Sequence, residues 1–421
     1  MNGPGRWVRL ALAGSLLAGL GLSSAACTKE TAPTIHILGP WSGDEEESFE
    51  KVLDLFRSEY HISVDYQGTT SRRETLFAQV QAGSPPDIAI LPSLGELTEY
   101  AYDGELVPLP RELRERSAAP WSPGLRIDGR TDTYWTPVKV DLKSIVWHYP
   151  KRPAGKGPWC LGMGSGGTSG WPGSDWIEDI LLQQSGPHVY EVWATGALSW
   201  QAPAVRRAWE TWGRIITAGG SGQADAALSN YFEANDRKGL LKPPAAGGCA
   251  REHQGSFIRR LYGPEVRFTP TADAVAELAN DRGAYEVAGD MAAMFRDSAG
   301  ARELLTFLTG KDARTAWPDK TGERNRPFFP ASAGTYLEEW GNQAVGRTLR
   351  GATQLCVDAS DAMPPNLVGA FHRAVLEYLD YLDDPRDRAS PLGGLLEQLE
   401  LERERRHERA APHVPSVCAA L

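Results

Sequence analysis

Hydrophobic positions along this chain recur with two different spacings, and the segments that carry them alternate. Residues 34–39 alternate polar and apolar side chains as a strand does, whereas Phe49, Val52, Leu53 and Phe56 recur on one face of a helix that begins at Asp44. Further strands are predicted at 62–66 and 87–92, and further helices at 76–82, 97–102, 204–216, 301–308, 370–382 and 395–407. Strands and helices that alternate in this way predict an α/β fold with mostly parallel sheets flanked by helices.

Two β-rich segments interrupt this series and look like crossings between two lobes. The first spans residues 134–148, with a break near Lys139, and the second spans residues 286–291. We therefore predict a first lobe made of residues 34–138 plus about 288–345, and a second made of residues 139–287 plus about 346–410. Residues 411–421 are expected to form a C-terminal tail.

The N-terminal segment has the layout of an export signal. Arg6 and Arg9 precede an apolar run over residues 10–22, which is shorter than the ~20 residues of a membrane span, and small residues lead into Cys27. This pattern resembles the bacterial lipobox, although Ser24 stands where the usual motif has Leu. We predict that 1–26 is a signal peptide, that Cys27 is lipidated, that 27–33 is a tether, and that the protein is held only by this lipid on the outer face of the cell membrane. The alternative is an ordinary secretory peptide.

Charge and cysteine content agree with an exported protein. The 421 residues carry a net charge of −10, which disfavours nucleic acid and anionic membranes as partners. Besides Cys27 there are four cysteines, an even number that suits disulfides in an oxidising compartment, and they allow three connectivities. We favour Cys160–Cys249, which would clamp the loop around Gln254, and then Cys356–Cys418. A zinc site is the alternative, but the sequence has no CxxC motif and no His/Cys cluster, so no metal is predicted.

The order of several short motifs resembles a known family. Residues 358–364 (Asp-Ala-Ser-Asp-Ala-Met-Pro) precede a long helix, and residues 169–173 (Ser-Gly-Trp-Pro-Gly) stand before 175–179 (Asp-Trp-Ile-Glu-Asp). With the early strand–turn–helix, these motifs are similar to extracellular solute-binding protein family 1, the carbohydrate receptors of the maltose-binding group. The resemblance implies a two-lobed periplasmic-binding-protein-like fold of type II, with a ligand cleft between lobes joined by hinges. It also implies a monomer that delivers a mono- or oligosaccharide to the permease subunits of an ABC importer.

A sugar site needs aromatic platforms for the CH face of the ring and planar polar groups for the hydroxyls. Trp41 follows the first strand, at the carboxyl end where ligand sites of α/β folds form. The predicted ligand contacts are Trp41, Asp44, Glu45, Lys139, Trp171, Asp175, Trp176, Gln254, Asp290 and Met291. The structural alternatives are core packing for the tryptophans, helix N-terminal charge for the acids of the first helix, and hinge structure for the residues at the crossings.

Catalytic motifs are absent from the sequence, which favours a binding protein over an enzyme and implies no cofactor. HExxH, GxSxG and a phosphate-binding lysine loop do not occur. One alternative is an exported glycoside hydrolase, since that chemistry needs only two carboxylates a few ångströms apart. Another is a ligand-sensing lipoprotein without a transport role. The ligand alternatives include a peptide, a polyol or another polar molecule.

Overall fold

The computed structural model describes residues 34–115, 118–151, 157–218, 228–229, 239–278, 283–317, 327–329, 344–382, 390–408 and 413–420. The strands are β1 Ile35–Gly39, β2 Val64–Gly68, β3 Ile88–Leu91, β4 Leu125–Ile127, β5 Arg130–Asp132, β6 Trp135–Leu142, β7 Ile145–His148, β8 Arg251–His253, β9 Arg267–Pro270, β10 Ala284–Met294, β11 Gln354–Val357 and β12 Cys418–Ala420. The helices are α1 Asp44–Tyr60, α2 Arg72–Gln81, α3 Leu94–Tyr102, α4 Arg111–Arg114, α5 Trp171–Ala194, α6 Pro203–Thr217, α7 Thr271–Ala274, α8 Ala299–Leu308, α9 Lys311–Ala316, α10 Ala344–Gly351, α11 Ala359–Ala362, α12 Pro365–Leu382 and α13 Ser390–Glu408. The predictions for 1–26, Cys27 and 27–33 lie outside the described residues.

The main sheet has the strand order β12-β11-β10-β3-β1-β2, and β6 lies beside β10. β1 runs parallel to β2 and β3, and β10 runs parallel to β11. β10 is antiparallel to β3 and β6, and the smaller sheet β8-β7-β9 is antiparallel throughout. The predicted α/β class is confirmed, but the sheets are mixed rather than mostly parallel. The reason is that β10 runs in the opposite direction to both β3 and β6, which lie beside it.

Strand β10 joins the two halves of the main sheet. Its residues 284–287 pair with β11, and its residues 291–294 pair with β3. β6 pairs with residues 287–293 of β10, with a shift of register between Asp290 and Met291. The two segments that looked like crossings in the sequence are therefore neighbouring strands at the middle of the sheet.

Helix α1 forms where the spacing predicts it. Phe49, Val52, Leu53 and Phe56 are all buried against the sheet, and four acidic side chains occupy the first turn, where the helix dipole favours negative charge. The helix ends at His61, which has the left-handed backbone conformation (φ 56°) common after a last turn.

Helix α5 begins at Trp171, within the Ser-Gly-Trp-Pro-Gly motif. Gly170 precedes it with φ 106°, and a Cβ there would lie 2.3 Å from the backbone oxygen of His372. Only glycine fits this approach, which lets the start of α5 press against α12. Residues 172–183 are all buried, so the helix has no exposed face over these residues.

Both favoured disulfides are present. Cys160 is bonded to Cys249 and Cys356 to Cys418, with S–S distances of 2.09 and 2.03 Å. The second bond joins β11 to β12, so residues 418–420 of the predicted tail are an edge strand of the main sheet. Within the described residues, no helix combines the length and the apolar character of a membrane span.

Candidate functional site

The candidate site starts from two residues that face each other across the central strands. Lys139 of β6 is paired in register with Asp290 of β10, and the Lys139 Nζ lies 3.3 Å from the Asp290 Oδ2. The same ammonium donates to the Glu45 Oε1 in the first turn of α1, at 3.2 Å. The Trp41 indole N–H donates to the Asp290 Oδ2 at 3.0 Å. Four of the predicted contacts thus meet where α1 reaches the crossing strands.

Arg260 completes this group, and sequence reasoning missed it. Its guanidinium lies 3.2 Å from the Glu45 Oε1, and it belongs to the 3-10 turn Ser256–Leu261. We call Glu45, Lys139, Arg260 and Asp290 the first charge cluster. No signal in the sequence pointed to Arg260, because its neighbours in the chain carry no recognisable motif and its partner lies on a distant helix.

Burial and charge oppose each other in the first charge cluster. Burial alone would raise the pKa of the Glu45 carboxyl, but Lys139 and Arg260 outweigh it and hold that pKa below its usual value. Burial would lower the pKa of Lys139, and the carboxylates of Glu45 and Asp290 reverse this and raise it. Glu45 and Lys139 are therefore both ionised at neutral pH.

A second group of charged side chains surrounds Lys143, the residue directly after β6. Its ammonium lies 2.5 Å from the Asp175 Oδ2 and 2.9 Å from the Asp358 Oδ2. Glu178 and Glu286 are fully buried beside them, and the Glu178 Oε2 accepts from the Ser360 backbone N–H at 3.1 Å. These residues form the second charge cluster: Lys143, Asp175, Glu178, Glu286 and Asp358. Of these only Asp175 was predicted as a site residue.

The carboxyls of the second charge cluster titrate differently because they share one cation. Burial raises the pKa of Asp175 to about 8, since the nearby Lys143 only partly offsets it and the Asp358 charge adds to it. Burial would also raise the pKa of Asp358, but Lys143 and hydrogen bonds, including one from the Ser360 hydroxyl, bring it below its usual value. One ionised and one protonated carboxyl beside a buried lysine is the arrangement expected at neutral pH.

Trp171 is the predicted tryptophan that is not fully buried. It is half-buried at the first position of α5, and the Lys143 Nζ lies 5.1 Å from the centroid of its ring. Phe257 lies beside it, with ring centroids 6.0 Å apart. An indole ring beside polar side chains is the kind of group that a sugar ring stacks on.

Three predicted contacts belong mainly to the core. Trp176 is 1% exposed and stacks on His253 with ring centroids 4.2 Å apart, and Met291 is 0% exposed in the same hydrophobic cluster. Trp41 is 2% exposed and packs edge-on against Phe49, its indole N–H donates to Asp290, and the Lys139 Nζ lies 5.1 Å from the centroid of its ring. Trp176 and Met291 are enclosed in this structure, and ligand contact at these two positions stays a prediction.

Among the described residues, Asp44 and Gln254 make no hydrogen bond or ion pair to either charge cluster. Asp44 is exposed at the start of α1, where its charge suits the helix dipole. The Gln254 side chain is 2% exposed, and its Oε1 accepts from the neighbouring Gly255 backbone N–H at 3.0 Å. The Gln254 carbonyl accepts from the Trp147 indole N–H at 2.9 Å, so this residue shapes the turn before Ser256.

Comparisons with known proteins agree with this architecture. No family model matches the chain. The alpha-glucosides-binding periplasmic protein AglE of Rhizobium meliloti is 29% identical over 393 residues, which cover 82% of this chain and 83% of that protein. The osmoprotective compounds-binding protein GgtB of Synechocystis sp. is 28% identical over 406 residues, which cover 84% of this chain and 90% of that protein.

The fold is shared with solved solute receptors. The bacterial solute receptor AcbH aligns with a TM-score of 0.66 at 13% identity, over 90% of this chain and 99% of that chain. The chain is thus similar over most of its length to two proteins named for binding small solutes, and it shares the α/β fold of a solved solute receptor, as the resemblance to extracellular solute-binding protein family 1 predicts.

Proposed function

We propose that this protein is an exported solute-binding lipoprotein that captures a mono- or oligosaccharide between two lobes and delivers it to an ABC importer. The observation that carries the proposal is the position of the polar side chains. Lys139, Asp290 and Glu45 lie where β6 and β10 join the halves of the main sheet, in a fold shared with solute receptors. The homologue AglE is named for binding alpha-glucosides, which makes sugars the first ligand class to test.

The lobes in this proposal keep the boundaries predicted from the sequence, 34–138 plus about 288–345 and 139–287 plus about 346–410. β6 and β10 then act as the hinge strands. Closure by rotation about them would bring a ligand into contact with both lobes, and a ligand shifts the balance toward the closed form only through contacts made there. The importer permease would recognise the closed shape and reopen it.

Each part of the site has a chemical role in this proposal. The Trp171 ring would stack on the CH face of the sugar, and the carboxylates and ammonium of the first charge cluster would pair with hydroxyl groups. A charge-assisted hydrogen bond to a hydroxyl is stronger than a neutral one, so a few such groups suffice for orientation. No step of this function requires a cofactor or a catalytic pair.

A ligand panel tests the proposal directly. Alpha-glucosides, other mono- and oligosaccharides and polyols would be added to the lipid-free protein, and the melting temperature recorded. A ligand at one hundred times its Kd should stabilise the fold by about 2.7 kcal/mol. If no sugar stabilises the protein and hydrolysis products accumulate instead, the protein is a glycoside hydrolase. Loss of sugar uptake in a strain without the protein separates a transport receptor from a sensing lipoprotein.

Lipid anchoring is part of the proposal and has its own experiment. Cys27→Ser should leave the protein free in the medium or periplasm, because the apolar run before Cys27 is cleaved and no other anchor is proposed. Fractionation of cells that express either form provides the measurement. Equal recovery of both forms with the membranes would place the anchor elsewhere.

A further inference from the structure

The buried carboxylates behind Lys143 have no role in the proposed function. Asp175 comes from α5, Glu286 from β10, and Asp358 from the residue before α11. One carboxylate oxygen from each of the three lies within 4.8 Å of the others, and all three residues are buried. Three elements that are far apart in the chain thus bring carboxylate oxygens together, and the Lys143 ammonium contacts two of the three carboxylates.

Glu286 is the carboxylate of this group that forms no hydrogen bond with the described residues. It is 0% exposed, and both of its carboxylate oxygens accept no hydrogen bond from the described residues. Burying an ionised carboxylate without a partner is costly, so Glu286 is held there either protonated, which burial favours by raising its pKa, or neutralised by a cation.

Lys143 does not neutralise the whole of the second charge cluster. Its ammonium contacts Asp175 and Asp358, and neither of those contacts reaches the Glu286 oxygens. Four carboxyls, those of Asp175, Glu178, Glu286 and Asp358, share the single positive charge of Lys143. The cluster therefore holds more carboxyls than cations, and a divalent ion that binds there would displace the protons that the buried carboxyls carry.

We propose that Asp175, Glu286 and Asp358 bind one hard divalent cation of the calcium class, with Lys143 balancing the remaining carboxylate charge. Calcium takes oxygen ligands at about 2.3–2.6 Å, so oxygens within 4.8 Å of one another can share one ion. The ligand set contains no sulfur or imidazole, which disfavours zinc and copper. The ion would tie α5, β10 and the start of α11 together beneath the half-buried Trp171. This inference is independent of the ligand that the cleft binds.

The test is a calcium titration of the full chain after removal of metal with EDTA. Isothermal titration and tryptophan-sensitised terbium luminescence should both show one saturable site per molecule. Glu286→Gln should weaken binding at least tenfold, because it removes one of three charged ligands, whereas Glu59→Gln, the same change at an exposed position on α1, should leave it unchanged.

Several outcomes would overturn the site. One is the absence of saturable calcium binding to the stripped wild-type protein at neutral pH, and another is equal calcium affinity for Glu286→Gln and wild type. Stability that depends on pH but not on calcium would show that protons, not a metal ion, neutralise Glu286. If Glu286→Gln does not fold, the wild-type titration alone decides. Sugar binding measured in EDTA reports on the proposed function separately, so the failure of one proposal does not hide the other.

Discussion

Glu45 and Arg260 form an ion pair of 3.2 Å between the first turn of α1 and the 3-10 turn that precedes β9. The same Glu45 oxygen accepts from Lys139 on the crossing strand β6. In the proposed division into lobes, α1 and the turn belong to different lobes, whereas Lys139 lies at the hinge. The pair therefore exists only when the lobes are close enough for the two side chains to meet, and its loss should favour the open form.

The first prediction concerns this pair. Arg260→Met should lower sugar affinity by about two- to fivefold, because a partly exposed ion pair contributes about 0.5–1 kcal/mol, here to the closed form. Isothermal titration provides the affinity. Arg302→Met is the matched control, since Arg302 of α8 pairs with Asp297, both side chains are about half exposed, and neither belongs to the first charge cluster. Affinities that fall equally in both variants would rule out a specific role for Arg260.

The second prediction separates two tryptophans of α5. Trp171→Ala should weaken sugar binding by about 1–3 kcal/mol with a small change in melting temperature, because its ring is half-buried and supports little of the core. Trp176→Ala should instead lower the free energy of unfolding by about 3–5 kcal/mol, because its ring is fully buried against Trp159 and His253. Ligand titration and urea unfolding of both variants provide the comparison. A large loss of stability with Trp171→Ala would show that its ring is a core element.

The third prediction concerns the disulfide between Cys160 and Cys249. Their sequence separation is 89 residues, and closing a loop of this size stabilises the folded state by about 4–5 kcal/mol in the chain-entropy model. The double variant Cys160→Ser/Cys249→Ser should therefore unfold at a markedly lower urea concentration. Wild type measured with and without reductant serves as the control. Titration of two free thiols at these positions in the native protein would contradict the bond.

The fourth prediction is a pH dependence that arises from Glu252. This residue of β8 is 2% exposed, and burial raises its pKa to about 8, although a hydrogen bond from the Tyr262 hydroxyl acts in the opposite direction. In the unfolded chain the pKa of Glu252 is about 4.3. Folding is therefore favoured most below about pH 4.3, where Glu252 is protonated in both the folded and the unfolded state. This contribution is lost as the pH rises from about 4.3 to about 8, because the unfolded chain releases the proton first.

Glu252→Gln keeps an acceptor for Tyr262 and removes the titration. The variant should therefore be more stable than wild type above pH 8, by a few kcal/mol at most, and the difference should shrink toward pH 4. Urea unfolding of both proteins between pH 4 and pH 9 measures this. Two stability curves that stay parallel over the whole range would show that Glu252 does not titrate as described.

The pattern of hydrophobic and polar residues was sufficient to predict much of the secondary structure. The spacing of Phe49, Val52, Leu53 and Phe56 predicts both the helix and its buried face, because a helix repeats every 3.6 residues whatever covers it. The β-rich segments around Lys139 and Asp290 likewise pointed to strands, and these two residues prove to be direct partners. Local periodicity and side-chain shape are properties of the chain itself, and so they can be read before the chain folds.

Only the tertiary structure decided which residues meet and which are covered. Arg260, Lys143 and Glu286 come close to their partners after strands and helices from distant parts of the chain have aligned, and no local pattern encodes that approach. Trp171 and Trp176 are five positions apart in adjacent motifs, yet one is half-buried and the other is enclosed. The start of α5 carries polar residues such as Asp175, Glu178 and Asp179 that are buried as well, so polarity does not predict exposure there, and burial depends on the elements that pack around the helix.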